Sequence, residues 1–156
     1  MRTLLALAVL AACAACTPGS FAATGGGGAV VPSGGTVQAI DVDLTRDPQG
    51  ATPAGAGGGY APLVTMVAAG TFVRFTNSDG FAHTATSISG STFPSAYPFT
   101  SAALNQSGGT LSGGFSSGSL AAGTSSQALL ADKPGTYIFG CFYHYGTPMR
   151  ATIVVH

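Results

Sequence analysis

The clearest pattern in the chain is the alternation of apolar and polar residues in segment 71–77, Thr-Phe-Val-Arg-Phe-Thr-Asn. Successive side chains of a strand point to opposite faces, so Phe72 and Arg74 share one predicted face and Val73 and Phe75 share the other. Segment 37–44 alternates in part and predicts a half-buried strand. The chain therefore contains at least two segments that are typical of a sheet with one covered face.

Shorter apolar segments predict further strands at 63–68, 83–88, 127–131, 135–141 and 150–155. The sequence Asp132-Lys133-Pro134-Gly135 is a strong turn signal between two of these strands. Proline, glycine and serine are frequent in the remaining stretches, which predicts a loop and a long excursion with little regular structure. These stretches are 46–62 and 91–119. Many short strands and frequent turns predict an all-β protein with a β-sandwich architecture.

The N-terminus has the composition of an export signal. In segment 1–16 a single positive charge precedes an apolar stretch that is too short to span a bilayer as a mature helix. Leu10-Ala11-Ala12-Cys13 resembles a bacterial lipobox, which predicts a signal peptide over 1–12 and a lipid on Cys13. Lipidation of Cys16 after a signal peptide that ends at 15, or cleavage without a lipid, are the alternatives. Each of them predicts an exported protein that functions in the periplasm or a similar compartment.

Residues 13–35 are rich in glycine and contain too few large apolar side chains to offset the entropy of ordering, so they predict a flexible tether. The folded domain is predicted to cover residues 36–156. The whole chain carries five positive and five negative side chains and a formal net charge of zero. Nucleic-acid binding is not expected, because it needs a basic surface that displaces counterions from phosphates. Membrane contact is expected only through the lipid anchor.

Soft and nitrogenous side chains recur before the last predicted strand, where Cys141, His144 and Met149 follow a C-x2-H-x4-M spacing. A further imidazole, that of His83, lies far upstream. Two nitrogen donors, a thiolate and a weak thioether are the donor set of a blue copper site. Alone, Cys141 would be read as a small buried side chain, His83 as a strand-end residue and Met149 as a core residue.

Zinc is the rival metal, because it also binds one cysteine and two histidines, but a thioether is a poor zinc ligand. The prediction is therefore one copper ion held by His83, Cys141, His144 and Met149. His156, the last residue, is expected to be solvated.

Three segments together resemble the plastocyanin and pseudoazurin branch of the cupredoxins. They are Gly-x-x-Val-x-Phe-x-Asn (70–77), Asp-Gly-Phe-x-His (79–83), and Pro-Gly-Thr-Tyr-x-Phe-x-Cys-x2-His-x4-Met (134–149). The resemblance covers roughly residues 36–156 and implies a Greek-key β-sandwich that binds one copper ion at its end. It also implies the same four ligands, with the ring edge of His144 as the exit for electrons and an apolar collar that contacts redox partner proteins. Candidates for this collar are Phe81, Tyr145 and Pro148.

Two positions depart from the family pattern. The residue after the first ligand is usually Asn, whose side chain ties the ligand loops together, whereas here it is Thr84. A threonine hydroxyl is expected to make a shorter link. Many relatives have Pro before the second His, whereas Tyr143 restores a backbone N–H in this chain. Hydrogen bonds near the thiolate shift the redox potential, so the sequence does not predict its value.

The predicted function is that of a one-electron carrier between redox partners, with no catalytic residues and no enzymatic activity. A periplasmic copper chaperone or storage protein is the alternative, which needs open and exchangeable ligands. An oxidase or nitrite reductase needs further histidines for a second metal centre, and two of the three in this chain are already assigned. An adhesive sandwich that has only kept the fold would not need the four donors.

Overall fold

The computed structural model describes residues 29–156, and within that range it is almost entirely β structure. Its one helical element is the 3-10 turn Ser101–Leu104. The twelve strands in chain order are β1 Val37–Val42, β2 Gly50–Thr52, β3 Gly55–Gly57, β4 Tyr60–Ala61, β5 Val64–Val67, β6 Phe72–Asn77, β7 Thr86–Ile88, β8 Gln106–Ser107, β9 Ser116–Ser117, β10 Leu129–Leu130, β11 Gly135–Gly140 and β12 Arg150–Val155.

The strands form two main sheets and a small hairpin. The first sheet has the order β10-β6-β1-β4, the second has the order β5-β12-β11-β7-β9-β8, and β2 pairs with β3. Strands β1 and β6 run parallel, as do β12 and β5, and the other pairs in both main sheets are antiparallel. The chain repeatedly passes from one sheet to the other between successive strands. This crossing confirms the predicted all-β, Greek-key β-sandwich.

The core lies between the two sheets and contains a group of aromatic side chains. The ring of Phe139, on β11, lies 4.9 Å from the ring of Tyr60 and 5.0 Å from that of Phe75, which belong to the other sheet. Phe115 stacks on Phe75 at 5.8 Å. Burial of such large apolar surfaces is the dominant favourable term in folding. It holds the sandwich closed and fixes the end at which the candidate ligands lie.

Most of the predicted strands are confirmed with shorter bounds, but the alternation in segment 71–77 is only partly correct. Arg74 is half-buried, whereas Phe72, Val73 and Phe75 are all buried. A strand in the middle of a sheet between two neighbours, as β6 is, can be covered on both faces, and its pattern is then more apolar than strict alternation.

Segment 46–62 was predicted as a loop, and this was wrong. It contains β2, β3 and β4, and the tight turn between β2 and β3 uses Thr52 Oγ1, which donates to the carbonyl of Gly55 at 2.8 Å. Tyr60 in β4 is buried and pairs with β1 opposite Val42. Glycine and alanine leave no alternating apolar signal in a strand, so the pattern could not indicate this hairpin.

The excursion at 91–119 also has more regular structure than predicted. It contains the 3-10 turn and strands β8 and β9, which extend the second sheet from its β7 edge. In contrast, the strand predicted at 83–88 is shorter, because only Thr86–Ile88 pairs with β11. His83 instead forms an isolated bridge with Leu120. In the described part of the chain, no helix is long and apolar enough to cross a membrane.

The predicted signal peptide, Cys13, Cys16 and most of the predicted tether lie outside the described residues. They stay predictions from the sequence, as does the boundary of the domain at residue 36.

Candidate metal centre

A hairpin between β11 and β12 presents one group of candidate ligands. The two strands pair from Gly135 opposite Val155 to Gly140 opposite Arg150. The pairing continues one step further, because the backbone N–H of Cys141 donates to the carbonyl of Met149 at 3.0 Å. Cys141 and Met149 are therefore held side by side at the mouth of the loop that joins the two strands.

Within this loop the chain folds back on His144. The carbonyl of His144 accepts hydrogen bonds from the backbone N–H of Thr147, at 3.0 Å, and from that of Met149, at 3.2 Å. The hydroxyl of Thr147 donates to the same carbonyl at 2.8 Å. Three donors on one carbonyl fix the turn, which places the imidazole of His144 above the strand ends.

The remaining candidate, His83, comes from the segment before β7. Its backbone N–H donates to the carbonyl of Leu120 at 3.1 Å, and Leu120 donates back at 2.7 Å. This bridge holds the segment beside the loop between β11 and β12, although His83 and Cys141 are 58 residues apart in the chain.

The side chains of His83, Cys141 and His144 converge on one point. The Sγ atom of Cys141 lies 3.7 Å from Nδ1 of His83 and 3.7 Å from Nδ1 of His144, and the two Nδ1 atoms are 3.1 Å apart. Among the described residues this is the one group of three or more His, Cys, Asp or Glu side chains that could hold a metal ion. His83 and Cys141 are completely buried, and His144 is half-buried.

Met149 lies beside this triangle and is completely buried. Its side chain packs on Gly59, where a β carbon would come within 2.6 Å of Cγ and 3.4 Å of Sδ of Met149. The backbone of Gly59 has a φ of +71°, in the left-handed region that favours glycine. The glycine thus allows the thioether of Met149 to occupy the space next to β4.

Asp79 contacts the far side of the His83 ring, and the sequence interpretation quoted this residue in a motif but gave it no role. Its Oδ2 atom lies 3.0 Å from Nε2 of His83, and the carboxylate is almost completely buried. A carboxylate that accepts from the outer nitrogen of a metal-binding histidine is a common arrangement. The i, i+4 spacing of Asp79 and His83 next to a glycine was the signal that could have indicated this contact.

Thr84 makes the expected link between the two ligand segments. Its Oγ1 atom accepts from the backbone N–H of Phe142 at 2.8 Å, and its own N–H donates to Sγ of Cys141 at 3.4 Å. The carbonyl of Thr84 accepts from the hydroxyl of Tyr60 at 2.6 Å. The residue after His83 therefore ties this ligand to the residue after Cys141, with a threonine in place of the usual asparagine.

Burial decides how the candidate ligands bind protons. Burial raises the pKa of the Cys141 thiol, although hydrogen bonds from Thr84, Tyr143 and His144 oppose the change. Burial also lowers the pKa of His144, and the neighbouring His83 adds to this effect. Both pKa shifts disfavour the charged forms, which are the thiolate of Cys141 and the imidazolium of His144, while no cation is in the site. A cation that replaced the thiol proton would compensate the charge of the thiolate.

Of the residues predicted to form a collar around His144, Phe81 is exposed, whereas Tyr145 is buried, so the predicted exposure of Tyr145 was wrong. Phe81 is 57% exposed, whereas Tyr145 is 4% exposed. Tyr145 is covered because its hydroxyl donates to the carbonyl of Pro94 at 2.7 Å and its ring lies 5.6 Å from that of Phe99, both in the excursion at 91–119. The guanidinium of Arg150 packs over the other side of the ring at 4.7 Å.

Two other residues complete the surface of the site. Tyr143, next to His144, is 44% exposed. Pro148 is half-buried. His156 is exposed, as predicted, and lies at the far end of β12 from Met149.

The donor set fits a single copper ion. The two imidazoles both face the triangle through Nδ1, the thiol lies between them, and a thioether is adjacent. Soft sulfur with imidazole nitrogen favours copper, and a thioether adds nothing to a zinc site. His83, Cys141, His144 and Met149 therefore form a site that can hold one copper ion.

The comparisons with known proteins agree on the fold. No protein-family model matches the chain, and no curated protein matches it. Among solved structures, one of auracyanin B is 20% identical, with 85% of this chain and 96% of that chain covered and a TM-score of 0.53. A reduced auracyanin from Roseiflexus castenholzii is 19% identical, with 78% and 97% covered and a TM-score of 0.48.

A purple cupredoxin from Nitrosopumilus maritimus is also 19% identical, with 76% of this chain and 98% of that chain covered and a TM-score of 0.46. The auracyanin B alignment includes most of both chains. Together with the two crossing sheets and the ligand triangle at their end, it shows that this chain has a cupredoxin-like fold.

Proposed function

We propose that this protein is a blue, type 1 copper protein that carries single electrons between redox partner proteins. The residues that would hold the ion are His83, Cys141, His144 and Met149. The observation that carries the proposal is the triangle of Sγ and two Nδ1 atoms, with sides of 3.7, 3.7 and 3.1 Å, inside a rigid sandwich. A bound copper ion would supply one-electron chemistry between its Cu(II) and Cu(I) states.

The chain contributes a stiff and dry frame around this chemistry. Cys141 and Met149 are fixed by the β11–β12 ladder, His83 by its bridge to Leu120, and Thr84 ties the two segments together. Three of the four donors have no exposed surface. A frame that holds the ligands in one arrangement keeps the movement small when the charge changes, and small movement makes electron exchange fast.

His144 is the proposed point of electron entry and exit, because it is the one proposed ligand with exposed surface. Phe81 and Tyr143 are exposed aromatic residues, and the ring of Tyr143 lies 6.2 Å from that of His144, whereas the ring of Phe81 lies 6.5 Å from that of His83. A small apolar surface around a half-buried ligand suits brief contacts with redox partners.

The alternative of a copper chaperone or store requires ligands that release the ion readily. The complete burial of His83, Cys141 and Met149 favours the carrier. We also propose that the chain is not an oxidase or reductase by itself, because its third histidine, His156, lies at the far end of β12 from Met149. Export and lipidation stay part of the proposal on the basis of the N-terminal sequence.

The test is to load the purified protein with Cu(II) and to record its visible spectrum and its reversible one-electron reduction. The expected result is an intense thiolate-to-copper band and an electron exchange that is faster than copper release to a chelator. The matched control is Cys141→Ser, which keeps the size of the side chain but removes the thiolate, and it should be colourless and folded. A colourless wild-type protein, or release faster than electron exchange, would contradict the carrier role.

A further inference from the structure

The carboxylate of Asp79 is buried behind the proposed metal ligand His83. Its Oδ2 atom lies 3.0 Å from Nε2 of His83, on the side of the ring that faces away from Cys141. Asp79 is 6% exposed and His83 is 0% exposed. A buried carboxylate without compensating partners is costly, so its contacts need to be accounted for.

Backbone N–H groups of its own loop and of the segment after β1 hold Asp79 in place. Its Oδ2 atom also accepts from the backbone N–H of Leu44 at 3.0 Å, and its Oδ1 atom accepts from that of Gly80 at 2.6 Å. Its backbone N–H donates to Oδ1 of Asn77 at 3.0 Å. Both carboxylate oxygens thus accept backbone hydrogen bonds, which favours the ionised form of Asp79 over the protonated one. The group is therefore an ionised acceptor with a fixed orientation.

An ionised carboxylate only accepts hydrogen bonds, so the proton of a neutral His83 ring must lie on Nε2. The lone pair then lies on Nδ1, which is the atom that faces Sγ of Cys141 at 3.7 Å and Nδ1 of His144 at 3.1 Å. The contact with Asp79 thus selects the tautomer that can donate to a metal in the triangle.

The charge of Asp79 acts on the same site. An anion in a buried position stabilises Cu(II) more than Cu(I), because the interaction scales with the charge of the ion.

We propose that Asp79 is a positioning residue, which fixes His83 as an Nδ1 donor and lowers the reduction potential of the site. Only the second part of this inference, the lower reduction potential, rests on the proposed copper function. The first part concerns the ring of His83 and can be measured without any metal.

The first experiment uses the metal-free protein and determines the tautomer of His83 by ¹⁵N NMR of its imidazole ring. We expect the proton on Nε2 in the wild type. Asp79→Asn would place an amide N–H₂ or a neutral oxygen against Nε2, so the population with the proton on Nδ1 should rise. A wild-type ring with its proton on Nδ1 would overturn the inference, and this result does not depend on the folding of any variant.

The matched control is Asp43→Asn. Asp43 is also buried, and its Oδ1 atom accepts from the backbone N–H of Thr45 and of Arg46, but it does not contact His83. This variant should leave the tautomer of His83 as in the wild type.

The second experiment measures Cu(II) and Cu(I) affinities and the reduction potential of the loaded proteins. Loss of an outer partner of a metal-binding histidine lowers metal affinity by roughly 10- to 100-fold. We expect Asp79→Asn to lose that much Cu(II) affinity and less Cu(I) affinity. Each tenfold difference between the two losses raises the potential by about 59 mV. An Asp79→Asn potential equal to that of Asp43→Asn would overturn the electrostatic role.

The two failures can be told apart. If the blue band is present and both Asp variants have the wild-type potential and tautomer, the role of Asp79 fails and the copper function stands. If the wild-type protein gives no blue band while Asp79→Asn still shifts the tautomer, the copper function fails and the positioning of His83 stands.

Discussion

The backbone of Gly59 lies directly against the side chain of Met149. A β carbon at Gly59 would come within 2.6 Å of Cγ of Met149, closer than side chains pack in proteins. Gly59 precedes β4 in the first sheet, whereas Met149 precedes β12 in the second. The contact therefore joins the two sheets at the end of the sandwich where the proposed ligands lie.

Gly59→Ala should displace Met149 and destabilise the metal-free protein. The matched control is Gly70→Ala, because Gly70 also has a positive φ, of +91°, but a β carbon there would meet no atom within 4 Å. Both variants carry the backbone strain, so the difference between them measures the overpacking, which we expect to be about 1–3 kcal/mol. Urea denaturation of both variants measures this difference, and equal stabilities would show that Met149 moves away without cost.

Thr84→Val should weaken the link between the ligand segments. Valine has nearly the same shape as threonine but leaves the buried N–H of Phe142 without its acceptor at 2.8 Å. The expected loss of unfolding free energy is about 1–3 kcal/mol. Thr84→Ser keeps the hydroxyl and should retain most of the stability of the wild type. Denaturant unfolding of the metal-free proteins compares them, and a stable valine variant would argue that water replaces the link.

Met149→Leu should keep copper binding but raise the reduction potential. Leucine fills the same buried volume at a cost below about 1.5 kcal/mol, whereas it removes the weak sulfur donor that favours Cu(II). Met66→Leu is the control, because Met66 is 66% exposed on β5 and far from the ligand loop in sequence. Voltammetry of the copper-loaded variants gives the potentials. An unchanged potential in Met149→Leu would mean that the thioether does not contact the ion.

The ionisation of the buried Asp47 carboxyl should lower the unfolding free energy of the metal-free protein as the pH rises towards neutral. Burial, together with the charge of Asp41, raises the pKa of Asp47 from 3.8 to about 6, and its Oδ2 atom has no hydrogen-bond partner in the described structure. Well below pH 3.8 Asp47 is protonated in both the folded and the unfolded states. The destabilisation by Asp47 grows as the pH rises from there to about 6, because over this range the unfolded state ionises and the folded state does not.

Asp47→Asn removes this ionisable group. We expect it to raise the unfolding free energy at pH 7 by about 2 kcal/mol and to flatten the pH dependence between pH 4 and 6. Thermal unfolding of the metal-free protein over this range is the measurement. A stability difference between Asp47→Asn and the wild type that does not grow from pH 4 to 6 would contradict the expected sign at this site.

The candidate ligands could be found from the sequence because three of them lie in one short loop with a fixed spacing. Cys141 directly follows β11 and Met149 directly precedes β12, so hairpin geometry brings them together. Asp79 was missed because its role depends on the orientation of a ring that belongs to another residue. Tyr145 was predicted at the surface because a loop position indicates exposure, and no local pattern indicates that Pro94 and Phe99 cover it.

The strands were predicted where their side chains alternate or form an apolar block, as in β6 and β12. They were missed where the residues are small and polar, as in Gly50–Thr52 and Ser116–Ser117. Ser116–Ser117 is stabilised by backbone pairing with a strand that is distant in the sequence, because Ser116 lies opposite Thr86. Local pattern carries no information about a partner of this kind.

Of the four proposed donors, His144 alone keeps any exposed surface. If electrons enter and leave the site only through the exposed part of His144, the electron donor and the electron acceptor must bind at the same surface. The supplier and the consumer of electrons would then exclude each other and take turns, so an excess of either one in its resting state should act as a competitive inhibitor of the other. The protein would bind one partner at a time, and it could not pass electrons between two partners that are bound to it in one ternary complex.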